Sequence, residues 1–219
     1  GLPMVEIMNH MGFDAMALGN HEFNYGQEQL LSLAKAAKFP FISANVVRDD
    51  GTVFIGDYNI FDVGGVKVGV FGLSPTDTPI LTHPKDVVGL QFLCPGVVAA
   101  RMVEVLEGQV DIIVCLSHLG YEDDKVIAAE VPGIDVIVGG HSHTTLAKPE
   151  VVGGAIIVQT GDWAENAGVL NLVVAGGKVV SFDGGLVQMK ADMPGPAADH
   201  PVGTTLAKYN AALAEKMAV

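Results

Sequence analysis

Cysteine is scarce: the 219-residue sequence has two, Cys94 and Cys115. Two thiols, one of them inside an apolar run that reads as a strand, exclude a disulfide-stapled scaffold. Positive charge is scarce as well. Lys plus Arg total 12 against 25 for Asp plus Glu, a net charge of −13. That balance argues against a nucleic-acid polymer or an anionic membrane surface as partner. An anionic substrate would need local positive charge, most simply from metal ions. No apolar run approaches the roughly 20 residues of a membrane span. No internal repeat or low-complexity block is present.

What is abundant is apolar or small. Hydrophobic residues make up 49% and glycine occupies 27 positions. A large core and many tight strand-to-helix turns are expected, and the length suits one good domain. Met4, Ile7, Met8 and Met11 recur at helical spacing and read as a core stripe, with Gly12 as the helix stop. A strand over 13–18 follows, then a helix over 26–38 with Leu30, Leu31, Ala34 and Ala37 inward. Residues 41–45 read as a strand, and 53–62 with 66–73 as a hairpin about Gly64-Gly65. The proline-punctuated stretch 74–93 reads as an excursion loop. Pro95 opens a helix with Val98, Met102, Val105 and Leu106 inward. Then come a strand to His118, a helix over 122–131 and a strand to Gly139. Short strands are expected over 155–160 and 167–190, broken at Gly176-Gly177 and Gly184-Gly185. A Pro/Ala-rich stretch leads to an amphipathic helix over 203–218, with Leu206, Tyr209, Leu213 and Met217 on one face. Helices alternating with strands, followed by β-rich sequence, predict an α/β fold of two face-to-face sheets with helices outside.

Three of the predicted strands end on polar, metal-capable groups. The first runs into Gly19-Asn20-His21-Glu22, the second into Ser117-His118, the third into Gly139-Gly140-His141-Ser142-His143. The carboxyl edge of such a sheet is where open α/β proteins bind ligands. A carboxamide oxygen can ligate a hard or borderline metal, and an imidazole can ligate a metal, move a proton or grip a phosphate oxygen. Singly, each motif fits an ordinary turn, a core histidine or a polar loop. Three together point to a metal site. Asp49-Asp50 and Glu122-Asp123-Asp124 read as a turn and a helix N-terminus, not as ligands.

These motifs, with Lys38-Phe39-Pro40, Ser43-Ala44-Asn45 and Gly133-Ile134-Asp135, resemble the calcineurin-like metallophosphoesterases, and within them the 5′-nucleotidase and 2′,3′-cyclic phosphodiesterase branch. The resemblance runs in order through residues 1–190. It implies a four-layer αββα sandwich and hydrolysis of nucleotide phosphate esters by a hydroxide held between two divalent ions. It further implies that Asn20, His118 and His141 ligate one ion and His143 the other, while His21 assists the leaving oxygen and Asn24 orients His21. Mn, Zn, Fe, Co or Ni all suit oxygen and imidazole donors. A cyclic phosphodiesterase/3′-nucleotidase or a nucleotide-sugar hydrolase is the enzymatic alternative; an inactive folding or association module is the alternative of another class. By the same resemblance the protein is periplasmic or secreted.

The family pattern also has an Asp-x-His and a Gly-Asp ahead of the Asn-His, and nothing of either kind precedes Gly19. Gly56-Asp57 and Gly161-Asp162 fall at the wrong place in the order. Residues 1–190 are therefore expected to be a partial catalytic domain. Residues 191–219 are expected to be a linker and helix leading toward a substrate-binding domain. Alone, this stretch is expected to hold at most one ion, to hydrolyse nothing, and to self-associate through exposed sheet edges.

Overall fold

The computed structural model describes residues 1–190 and 192–217. The first half comprises α1 (Leu2–Met11), β1 (Met16–Ala17), α2 (Gln27–Ala36), β2 (Phe41–Ile42), β3 (Val46–Arg48), β4 (Tyr58–Val63) and β5 (Val66–Leu73). Then follow α3 (Thr78–Leu81), β6 (Leu90–Phe92), α4 (Pro95–Leu106), β7 (Ile112–Ser117), α5 (Tyr121–Glu130) and β8 (Val136–Val138). The chain closes with β9 (Glu150–Val152), β10 (Ala155–Val158), β11 (Asn166–Ala175), β12 (Lys178–Gln188) and α6 (Pro201–Met217).

Runs of Val, Ile and Leu build the main sheet, in the order β4-β5-β7-β8-β10-β9. β5, β7, β8 and β10 are parallel, and antiparallel β4 and β9 close its edges. Parallel strands need crossovers. α4 supplies the one from β5 to β7 and α5 the one from β7 to β8, and the two bury Val98, Met102, Leu106 and Ile127 against the sheet. On the opposite face β1 and β2 pair in parallel and lie over β5 and β7. α1 and α2 cover that second layer through Val5, Leu18, Phe23, Leu30 and Phe41. The order from one side to the other is α, β, β, α, an α/β sandwich. Among the described residues the second β-layer is in short pieces, β1-β2, β3-β6 and the β11-β12 hairpin.

A buried polar knot joins the layers. Asn45 Nδ2 donates to the Ser74 carbonyl, and Ser74 N donates to Asn45 Oδ1, both at 2.8 Å. Ser74 Oγ lies 2.7 Å from Ser43 Oγ and donates to the Leu18 carbonyl at 2.7 Å. Satisfied networks of this kind fix one arrangement of a core. Here the knot holds the residue just before Gly19.

Several expected elements are corrected. The first strand is confined to Met16–Ala17 and the next to Phe41–Ile42, because among the described residues each pairs only with the other. The stretch 74–93 is not an open loop: it holds α3, a 3₁₀ turn over Pro84–Val87, and β6, which pairs with β3. Gly184-Gly185 does not break β12, which runs on beside β11. A Cβ at Gly184 would lie 3.2 Å from the Leu170 Cα, so glycine serves close approach here rather than a turn. The methionine stripe is rolled outward. Met4 and Met11 are exposed and Val5 is the buried residue of α1, one position and about 100° round the helix. α6 begins at Pro201, and its expected end at 218 lies outside the described residues. It leans on α1, with Lys208 Nζ 3.3 Å from Glu6, and leaves Leu213 and Met217 in solvent.

Candidate metal centre

Three strand ends place the site. After β1, Leu18 N donates to the Ile42 carbonyl at 3.2 Å, and the chain turns into a 3₁₀ turn over Asn20–Phe23. Glu22 reaches back so that its Oε2 accepts from Gly19 N at 2.6 Å, and Phe23 is fully buried. Roughly three residues per turn then separate neighbours by a third of a circle. Asn20 points in and is 5% exposed, while His21 points out. After β7, His118 N donates to the Leu73 carbonyl at the end of β5, 2.9 Å away. After β8 the chain passes Gly139-Gly140 into His141 and His143, both with left-handed backbone at φ 69° and 55°.

His118 and His141 meet there, and Gly19, the residue before Asn20, lies against His118. The His118 and His141 rings are 5.1 Å apart between centroids. A Cβ on Gly19 would lie 2.7 Å from His118 Nε2, and one on Gly140 would lie 3.1 Å from His118 Nδ1. Both glycines thus make room for that imidazole. The Asn20 Oδ1 is buried and has no hydrogen-bond partner. An orphaned buried carboxamide oxygen one residue from the glycine that packs on His118, together with the paired imidazoles, is a donor set whose chemistry fits a divalent ion. Among the described residues no three His, Cys, Asp or Glu side chains alone form a group that could hold an ion. His143 stands at the rim, with Nδ1 3.3 Å from Asp162 Oδ2.

His21 is exposed beside this set, near enough to His118 to act on its charge. Asn24 Nδ2 lies 2.9 Å from His21 Nδ1, and Thr82 Oγ1 donates to Asn24 Oδ1 at 3.3 Å. With Oδ1 engaged by Thr82, the amide turns its NH₂ to the ring. Asn24 thus engages Nδ1 and leaves Nε2 free.

Charge at the site is set by burial. The His118 pKa is lowered to about 4, first by desolvation and then by His141, His21 and His143. It is neutral at physiological pH, the form that ligates metal. Burial also raises Glu22.

Sequence reasoning missed four residues. Gly161-Asp162 was excluded by its position in the order, yet folding sets Asp162 on His143. Thr82 fell in the supposed loop. Asp124, read as a helix-end carboxylate, is buried and accepts from Ser117 Oγ, the residue before His118. Gln159 is buried beside the His141–His143 loop. Asp124 carries a local signal, since it lies on the side of α5 that carries Ile127 and Ala128, and the stretch Gln159–Trp163, which holds Gln159 and Asp162, resembles a family stretch near the site.

Asp124 gives a prediction on pH. Its pKa rises from 3.8 to about 6, chiefly by desolvation. Folding thus favours the protonated carboxyl. Between about pH 4 and 6 the folded chain binds more protons than the unfolded one, so stability from this group is greatest below that window and is lost as pH rises through it. The penalty above it is on the order of 3 kcal/mol. Asp124→Asn is expected to shed this dependence. In thermal melts the gap between variant and wild type should widen in the variant's favour from pH 4 to pH 7. A constant gap would sink the burial argument.

The comparisons with known proteins can be set on this geometry. The curated 5′-nucleotidase of Rattus norvegicus is 39% identical over 155 residues, covering 67% of this chain and 26% of that protein. The chain thus spans about a quarter of the length of the curated relatives it matches. Two solved structures superpose with a TM-score of 0.87. One is a 5′-nucleotidase precursor from Thermus thermophilus, 32% identical, over 99% of this chain and 46% of that one. The other is the calcineurin-like phosphoesterase YfkN from Bacillus subtilis, 26% identical, over 99% of this chain and 75% of that one. The calcineurin-like phosphoesterase profile matches residues 4–145, a stretch that takes in Asn20, His118, His141 and His143. By that match the chain belongs to the calcineurin-like phosphoesterase family.

Proposed function

We propose that the protein carrying this chain is a metal-dependent phosphoesterase of the 5′-nucleotidase kind, hydrolysing phosphate esters of nucleotides. One observation carries the reading: the His118 and His141 rings lie 5.1 Å apart, and Asn20, with its buried, partnerless Oδ1, follows Gly19, which packs against His118. Asn20, His118 and His141 would hold one divalent ion, and His143, braced by Asp162, would offer its remaining nitrogen to a second. Such ions supply the Lewis acidity that polarises phosphoryl oxygens and makes water a nucleophile at neutral pH. The chain's own residues do the rest. Neutral His118 ligates without competing protons. His21, as imidazolium, would give its Nε2 proton to the leaving ester oxygen and become neutral, and Asn24 with Thr82 holds the ring direction through Nδ1.

The relatives named 5′-nucleotidase favour a nucleotide substrate, and the neighbour described as a precursor favours a periplasmic or secreted location. No helix among the described residues is long and apolar enough to cross a membrane. An open groove lined by Phe13, Phe61, Val68, Val114 and Leu116 supports self-association.

The test is phosphate release from AMP and from 2′,3′-cyclic AMP with added Mn²⁺ or Zn²⁺. It should be run on residues 1–219 and on the full gene product, with sizing of both. Release from AMP that EDTA abolishes is the expected result for the full product. Cyclic AMP as the better substrate would favour the phosphodiesterase alternative, and no release with any divalent ion would overturn the enzyme reading. Monomers of both species at high concentration would remove the self-association.

A further inference from the structure

Gln159 lies just past the end of β10 and is 2% exposed. Its Oε1 accepts from Thr144 N at 2.6 Å and from Ser142 Oγ at 3.1 Å. These residues flank His143, and Ser142 directly follows His141. Both histidines have left-handed backbone, which side-chain-bearing residues adopt when their surroundings impose it. Ser142 Oγ also accepts from Tyr121 N at 3.0 Å, three residues past His118. One hydroxyl thus ties the His118 loop to the His141–His143 loop, and one buried amide oxygen holds that hydroxyl.

The other end of the amide is idle. Gln159 Nε2 is buried without a partner, and it faces Gly139, where a Cβ would come within 3.0 Å of it. Asp124 Oδ2, equally unpartnered, lies against the same glycine. An apolar side chain would fill this space without stranding a donor. What the amide contributes is its oxygen.

We propose that Gln159 is a positioning residue, whose amide oxygen presets the left-handed backbone at His141 and His143 so that both imidazoles stand ready for a divalent ion. The inference rests on the metal reading above and adds a residue to it. Partners that orient ligands in this way typically change metal affinity about 10–100-fold when removed.

Gln159→Met keeps the volume and removes the acceptor. Ser142→Ala removes the bridging hydroxyl from an exposed loop, where loss of fold is not expected. The probe is Co²⁺, titrated by visible absorption beside thermal melts of each protein. The expected result is about 10–100-fold weaker Co²⁺ binding by folded Gln159→Met with an altered visible band. Ser142→Ala should lose less, in the same direction. A merely structural role would lower the melting temperature and leave affinity and band unchanged. Both variants matching wild type in affinity and band would overturn the inference alone. Should Gln159→Met not fold, wild-type affinity in Ser142→Ala would overturn it just the same. Wild-type protein that binds no Co²⁺ would overturn the metal reading and this inference with it.

Discussion

Under the proposed function, replacing His21 by alanine is expected to lower turnover of the full gene product about 10²–10⁴-fold while leaving bound metal unchanged. Two features of the structure set this expectation. His21 is exposed, while Asn20 next to it in the same turn is buried. Its Nδ1 is engaged by Asn24, so the free Nε2 is the atom that can give a proton. An alkoxide leaving without that proton is a poor leaving group, so the loss falls on kcat. Asn24→Asp sharpens the test. A carboxylate at the same distance stabilises the imidazolium, and the basic limb of the pH–rate profile should move upward. Metal analysis of His21→Ala that shows metal and activity falling together would make His21 a ligand and reject the proton role.

The second large effect is on the scaffold. Gly72→Ala is expected to cost about 3 kcal/mol or more, at or beyond the upper end of typical overpacking penalties. Gly72 lies on β5 opposite Leu116 of β7, and its carbonyl accepts from Ala44 N at 2.8 Å. A Cβ there would meet the Ile42 carbonyl oxygen well inside contact distance and the Ile42 carbonyl carbon at 2.8 Å. Both are backbone atoms of β2, in the facing layer, so no rotamer change relieves the clash. The layers must part, and the Asn45–Ser74 knot that anchors Leu18 parts with them. Stability should fall in denaturant melts, and metal affinity should fall with it although no ligand is altered. A Gly72→Ala protein as stable as wild type would show that β2 and β5 approach less closely than described.

Much of the framework was legible from residues near one another in sequence. Periodicity placed α2, α4 and α5 within a few residues, since helical spacing reports one buried face whatever lies across it. The β4-β5 turn was legible from Gly64-Gly65, whose φ values are 61° and 89°. Elements that draw their definition from a distant partner were not. β6 is a strand because β3 lies alongside it, and the 74–93 stretch carries no period of its own.

The same division holds within the site. Sequence by itself determined which strand ends carry Asn20, His21, His118, His141 and His143, because strand, glycine and polar loop are written in consecutive residues. The family resemblance, not spacing, pointed to Asn24 as the neighbour of His21. Only the tertiary structure decided that Asp162 faces His143, that Thr82 engages Asn24 across 58 positions, and that Gln159 spans 15 residues to hold Thr144. It alone buried Asp124 beneath Ser117. Local backbone preference and apolar spacing act over a few residues and leave a trace in any window of sequence. A hydrogen bond between distant segments leaves none, since the chain between them fixes neither their separation nor their direction until the layers pack.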